Sequence, residues 1–360
     1  MMHLKIATSF GAAVLLFIAL NFFLSELKDH GLAGLHKIET NAQQVSSRHI
    51  SGGVLMLGSS YMFFPLAELL ATRENLNDIE LVLKAVTAST GKTILNLTYP
   101  SQMVSDDCIW LDTYLKKTGK PAWVVLGLAP RDFYDPDFRS PLWTETFIHV
   151  AESEYLPKYI QLSDASFDDK IQCILHRTCI MFDKRKGFLK TVAEKGNRLL
   201  DRLLPESKQP AQPTQLNPFA ASSLEERWKS SMEEYRYRYK DIQFNELEKQ
   251  NRYLVRILQT CDHNGIPIVV VNMPLSPENK ALLPQHFYDR FKKMLAAECR
   301  TKGCIYLNLG ESDEFSRSDY SDSVHLNKPG GIKLFDKVFS TINAREADGA
   351  NGVPVVRSPD

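Results

Sequence analysis

The sequence predicts an α/β fold: a three-layer α/β/α sandwich around a parallel, flavodoxin-like sheet, behind an N-terminal transmembrane helix. Three observations predict it. Short apolar runs at Val54–Leu57, Ala122–Leu128, Ile266–Asn272 and Ile305–Leu309 are separated by longer stretches of helical character. Strands apolar on both faces are those of a parallel sheet covered by helices on each side. The first run breaks at once into Gly58-Ser59-Ser60, a tight strand-to-helix turn. Finally, Ile6–Ser25 contains no charged residue, which is about the length that spans a bilayer core.

Taken in order, Lys5 precedes the uncharged run and Glu26, Lys28 and Asp29 follow it. Lys5 and the amino terminus place the short leading segment in the cytoplasm and the rest outside, on the periplasmic or extracellular face of the cell membrane. A cleaved signal peptide would begin the same way, but no clear small-x-small site follows the run. Residues 1–28 are read as the anchor, 29–52 as a stalk, 53–345 as the α/β domain and 346–360 as a flexible tail. Tyr61–Ala71 has helical character, Leu81–Ala88 suits a helix or a strand, and Thr93–Thr98 reads as a strand ended by Tyr99-Pro100. Ser101–Lys117 reads as a helix capped by Ser101. From about 133 to 221 the periodicity is lost among aromatics and prolines, and Pro205–Ser223 reads as a linker. This is an insertion at the carboxyl edge of the sheet. Ser222–His263 is one long helix or two, with Leu247, Leu254, Leu258 and Cys261 on one stripe. Within it, Tyr235-Arg236-Tyr237-Arg238-Tyr239 reads as a solvated face. Pro284–Lys302, with Phe287, Phe291, Met294 and Leu295 on one side, and Pro329–Asn343 complete the helices.

Lys+Arg and Asp+Glu both number 43, so the chain lacks the basic excess of a nucleic-acid binder. Six cysteines are present without CxxC spacing or a histidine cluster, which argues against a zinc site. Cys173 with Cys179, or Cys299 with Cys304, could close a small-loop disulfide in an oxidising compartment. Gly303 permits the turn that the second pair needs. There is neither a P-loop nor a dinucleotide fingerprint, and no metal or cofactor is expected.

Two elements carry chemistry. Ser60 lies on the turn after the first strand, where a hydroxyl at the carboxyl edge of the sheet faces a crevice and its N–H opens a helix. Asp322-Ser323-Val324-His325 lies after the last strand and before the last helix. An Asp three residues before a His can hold one imidazole nitrogen and leave the other to take a proton from a serine.

Gly58-Ser59-Ser60 together with Asp322-x-x-His325 resembles the SGNH/GDSL hydrolase superfamily, over roughly Val54–Phe339 without the insertion. It is most similar to the membrane-anchored bacterial branches, the DltD-type teichoic-acid D-alanylation proteins and the alginate-type O-acetyl transfer proteins. The resemblance implies Ser60 as nucleophile, His325 as general base and Asp322 as the acid that orients it. Ser59 stands where the GDS form has Asp. The family's second block supplies a glycine amide to the oxyanion hole, but Asn96–Ser101 contains no glycine. In the third block, Gly-x-Asn-Asp, the match is Gly127-Leu128-Ala129 and the oxyanion Asn is missing. Ser101 and Arg131 are the candidate replacements; Arg131 could equally be a structural partner of Asp132 or Asp135. The implied function is serine-dependent esterase or O-acyltransferase chemistry on acyl esters of a cell-envelope polysaccharide, through an acyl-serine intermediate. The implied partners are an acylated or acyl-accepting polysaccharide and a membrane-bound acyltransferase. The alternative is a weak or inactive anchored scaffold, or carbohydrate-binding component, of an envelope acylation complex.

Overall fold

The computed structural model describes residues 53–63, 65, 91–136, 140–178 and 223–350. The uncharged run at 6–25, the stalk, the end of the helix expected to Ala71, the segment 81–88 and most of the 205–223 linker lie outside them. No helix among the described residues is long and apolar enough to cross a membrane. The chain divides into two units, Asn41–Asp164 with Pro218–Asp360, and Met1–Thr40 with Ala165–Asn217. The first carries the sheet and the candidate site. In the second, α4 spans Phe167–Thr178 and Ser166 caps it, its Oγ accepting from the Asp169 N–H at 3.1 Å.

Five parallel strands build the sheet: β1 Val54–Gly58, β2 Ile94–Asn96, β3 Trp123–Leu128, β4 Ile268–Asn272 and β5 Ile305–Asn308. Their order is β2-β1-β3-β4-β5, the flavodoxin-like doubly wound order, whose ligand crevice lies at the carboxyl ends beside the β1/β3 switch point. The register sets Gly58 opposite Gly127 at that point. Every residue of β1, β3 and β4 is buried, which is why these strands are near-continuous apolar runs, broken in β4 only by Asn272 at its carboxyl end, rather than alternating.

Besides the helical turn that begins at Ser60, the α-helices of the sheet unit among the described residues are, in chain order, α1 Val104–Lys117, α2 Glu145–His149, α3 Leu156–Ser163, α5 Leu224–Arg238, α6 Phe244–Asn264, α7 Pro277–Lys280, α8 Gln285–Lys302 and α9 Lys328–Ala350. Helix α6 packs against α1 and α8. It buries the expected stripe of Leu247, Leu254, Leu258 and Cys261. On α8, Phe287, Phe291 and Leu295 are buried while Met294 is half-buried. Each fully buried Phe or Leu of this kind contributes roughly 1.5–3 kcal/mol. The start of α9 lies against Pro65, beside the helical turn that follows β1, an arrangement consistent with three layers. At its far end, Glu346 accepts from Lys92 Nζ at 2.7 Å and from Trp123 Nε1 at 2.9 Å. These partners lie at the amino ends of β2 and β3, so α9 runs antiparallel to the strands and begins at their carboxyl edge.

The segment at 222–263 takes the second of its two expected forms, the helices α5 and α6. Three boundaries differ from expectation. Helix α1 starts at Val104, and Asp106 Oδ2 accepts the Met103 N–H at 3.0 Å; Ser101 is not its cap. Helix α9 continues to Ala350, past the tail boundary at Arg345, because Glu346 is anchored. The segment 140–164 belongs to the sheet unit, where Tyr159 donates to Asp112 at 2.9 Å and accepts at its carbonyl from Tyr253 at 3.1 Å. The separate part of the insertion is therefore 165–217. Cys299 and Cys304 are bridged, with Cα atoms 4.8 Å apart, across Gly303 in the left-handed conformation at φ 69°; the expected partner of Cys173, Cys179, lies outside the described residues.

Candidate active site

The chain leaves β1 through Gly58, whose φ of 136° suits glycine, and a Cβ there would meet the Gly127 carbonyl oxygen at 2.6 Å. Ser59 caps the turn with its carbonyl, which accepts from the Met62 and Phe63 N–H groups at 3.0 Å each. Ser59 itself is buried, and its hydroxyl bears on the Asp132 carboxylate. Ser60 is the first helical residue and lines a cavity of about 630 Å³.

The second element is a closed loop. Tyr320 and Leu326 form an antiparallel bridge, and the Ser321 N–H donates to the His325 carbonyl at 2.8 Å. Asp322 turns back inside the loop. Its Oδ1 accepts the Val324 and His325 N–H groups at 2.8 and 2.9 Å, and its Oδ2 lies 2.7 Å from His325 Nδ1. Burial works against the Asp322 charge, but the imidazole and the two N–H groups outweigh it and hold the carboxyl below its usual range. A carboxylate on Nδ1 favours the tautomer in which Nδ1 carries the proton. The Tyr61 ring lies 5.9 Å from the His325 ring, so the residue after Ser60 packs on the imidazole.

Ser60, Ser101, Arg131, Asp322 and His325, which come from four separate parts of the sequence, line this one cavity. Ser101 holds a φ of 67°, a left-handed conformation rare outside glycine. Arg131 is buried and tied down: its guanidinium donates to Asp135 Oδ2 at 2.6 Å and to the Gln102 carbonyl at 3.1 Å. Asp135 also binds Arg238. Of the two carboxylates weighed as partners of Arg131, Asp135 is the close one; Asp132 stands 3.9 Å away.

Helix α5 forms the wall that sequence reasoning missed. Arg227, Ser231, Glu234, Tyr235 and Arg238 face the cavity at helical spacing. The Tyr-Arg run is therefore split: Tyr235 and Tyr239 are buried, while Tyr237 is 59% exposed. The alternation of rings and bases masked a 3.6-residue period that was open to inspection. This wall also holds the histidine loop. Ser231 Oγ donates to Ser323 Oγ at 2.7 Å and accepts the Ser323 N–H at 3.0 Å, and Arg227 Nε donates to the Ser321 carbonyl at 3.1 Å.

Beneath the turn lies a buried acidic group. Burial pushes Asp106 and Asp132 up to about 6, against the bonds and the Arg131 charge that lower them. Asp107 is held well above its usual range by burial, with Asp132 and Asp106 adding to it. The chain matches no protein-family model and no curated protein.

Proposed function

We propose that the chain is a serine-dependent esterase or O-acyltransferase of the SGNH/GDSL type, acting on acyl esters of a cell-envelope polysaccharide. The observation that carries this reading is that Ser60 and the hydrogen-bonded Asp322–His325 pair open into one cavity, from the turn after β1 and the loop before α9. Ser60 Oγ attacks the acyl carbonyl and gives its proton to His325 Nε2. The tetrahedral intermediate collapses, the ester C–O bond breaks, and His325 returns the proton to the leaving alcohol. Water or a sugar hydroxyl then gives its proton to His325 and attacks acyl-Ser60; the acyl C–O bond to Ser60 breaks, His325 returns the proton to Ser60 Oγ, and the acid or a new ester leaves. The Ser60 N–H, the left-handed Ser101 and Arg131 are the candidate oxyanion donors. Ala129 at the position of the family's Asn removes one donor, a loss that costs roughly 100- to 1000-fold in turnover. The uncharged run at 6–25 would hold this domain on the outer face of the cell membrane, beside a membrane-bound acyl donor. No cofactor takes part in the proposed steps.

The same absent Asn favours the second reading, an inactive scaffold. Fluorophosphonate labelling separates the two. Stoichiometric labelling of Ser60, lost in Ser60→Ala and kept in Ser59→Ala, is the expected result. A folded wild-type protein that stays unlabelled leaves the scaffold reading.

A further inference from the structure

In a parallel strand, residues two apart face the same neighbour. Met56 faces β2, since its carbonyl accepts the Leu97 N–H at 2.9 Å. Gly58 therefore faces the same side, but β2 has already ended at Asn96. The Gly58 N–H is completed instead by a side chain: it donates to Asp107 Oδ1 at 2.8 Å, across 49 residues of sequence. Asp107 lies in the first turn of α1 and is 1% exposed. A buried carboxyl is costly unless it is needed by a hydrogen bond, and this one is spent on the last strand residue before the Gly58-Ser59-Ser60 turn. The opposite side of the turn is closed just as tightly, because Gly58 abuts the Gly127 carbonyl. The backbone that aims Ser60 is thus held between β3 on one side and Asp107 on the other.

We propose that Asp107 is a positioning residue for the nucleophile: its Oδ1 stands in for the missing strand carbonyl and fixes the turn that carries Ser60. Asp107 does not line the cavity, so it touches neither substrate nor reacting atoms. The bond needs an acceptor at Oδ1 and not a negative charge, and an amide oxygen at the same position provides one as well as a carboxylate does.

The proposal rests on Ser60 being the nucleophile, and the experiment keeps the two claims apart. The rate constant and the affinity of fluorophosphonate labelling are measured separately on the full chain for wild type, Asp107→Asn, Asp107→Leu and Asp107→Glu, with thermal melts to show folding. Asn keeps the acceptor in place, Leu fills the volume without one, and Glu carries the acceptor one methylene too far. The expected result is a labelling rate constant within about threefold of wild type for Asn, and at least about tenfold lower for Leu and Glu, with affinity unchanged. If Leu fails to fold, Glu against Asn decides. Wild-type rate constants in folded Leu or Glu variants overturn the positioning role, as does an Asn variant as slow as Glu. A wild-type protein not labelled at Ser60 overturns the serine reading itself.

Discussion

At the scale of single residues, Ser59 and Ser60 are adjacent hydroxyls with opposite surroundings. Ser59 points into the buried acidic group and Ser60 into the cavity. Ser60→Ala and His325→Ala should each abolish hydrolysis of p-nitrophenyl acetate, and the double variant should be no slower than either single one, because the two act as a unit. Ser59→Ala should lower the rate only modestly. Asp322→Asn is the sharper test. An Asn Oδ1 can still accept the Val324 and His325 N–H groups, so the loop should close and the melting temperature should hold. An amide that donates to Nδ1 would select the wrong tautomer, and turnover should fall by about 100- to 10,000-fold. A large loss of melting temperature would mean that the carboxylate serves the loop rather than the imidazole. The histidine loop was legible in the sequence because Asp-x-x-His is local. The Ser231 and Arg227 contacts that brace it were not, since they join positions 92 and 94 residues apart.

At the scale of elements, the carboxyl edge depends on how closely β1 and β3 approach. Gly58→Ala places a methyl 2.6 Å from a backbone oxygen at φ 136°, whereas Gly127→Ala meets side-chain atoms, the Met62 Cε and the Met273 Sδ, at 2.5 and 3.0 Å. Urea unfolding should show Gly58→Ala losing about 2 kcal/mol or more, and Gly127→Ala less. Equal losses would mean that the methionines are as fixed as the backbone. The bridge between Cys299 and Cys304 closes the junction of α8 and β5; Cys299→Ser with Cys304→Ser should cost about 2 kcal/mol. Element types were readable because β1, β3 and β4 are near-continuous apolar runs buried on both faces, the pattern of a covered parallel sheet. Element ends were less so. Glu346 extends α9 through partners at Lys92 and Trp123, and Asp106 rather than Ser101 starts α1. Both depend on partners that a local pattern does not contain.

At the scale of the whole molecule, titration sets opposing demands on stability. Asp106 and Asp132 are raised to about 6 by burial, and Asp107 and Asp112 are raised as well. The unfolded chain titrates these groups near 3.9. Between about pH 4 and 6 the folded state therefore holds more protons than the unfolded one, and stability falls as pH rises through that window. Asp319, Asp322 and Glu346 have the opposite sign. Burial raises Asp319 and Asp322, but Lys333 and His325 outweigh it; Lys92 lowers Glu346 directly. Their contribution is complete above about pH 4 and is lost as pH falls through their folded values. The two sets together place the stability maximum in the mildly acidic range. Thermal melts from about pH 3 to 8 should peak near pH 4–5 and decline toward neutrality. Asp132→Asn should flatten the decline, since its amide oxygen still accepts the Ala129 N–H that Asp132 Oδ2 now takes at 2.8 Å. A melting temperature that climbs steadily from about pH 5 to 8 would mean that these buried carboxyls are ionised and compensated. Arg131, whose own burial penalty is outweighed by Asp135 and Asp132, would then be the group that compensates Asp106 and Asp132, and Arg131→Met should shift the maximum back toward acid pH.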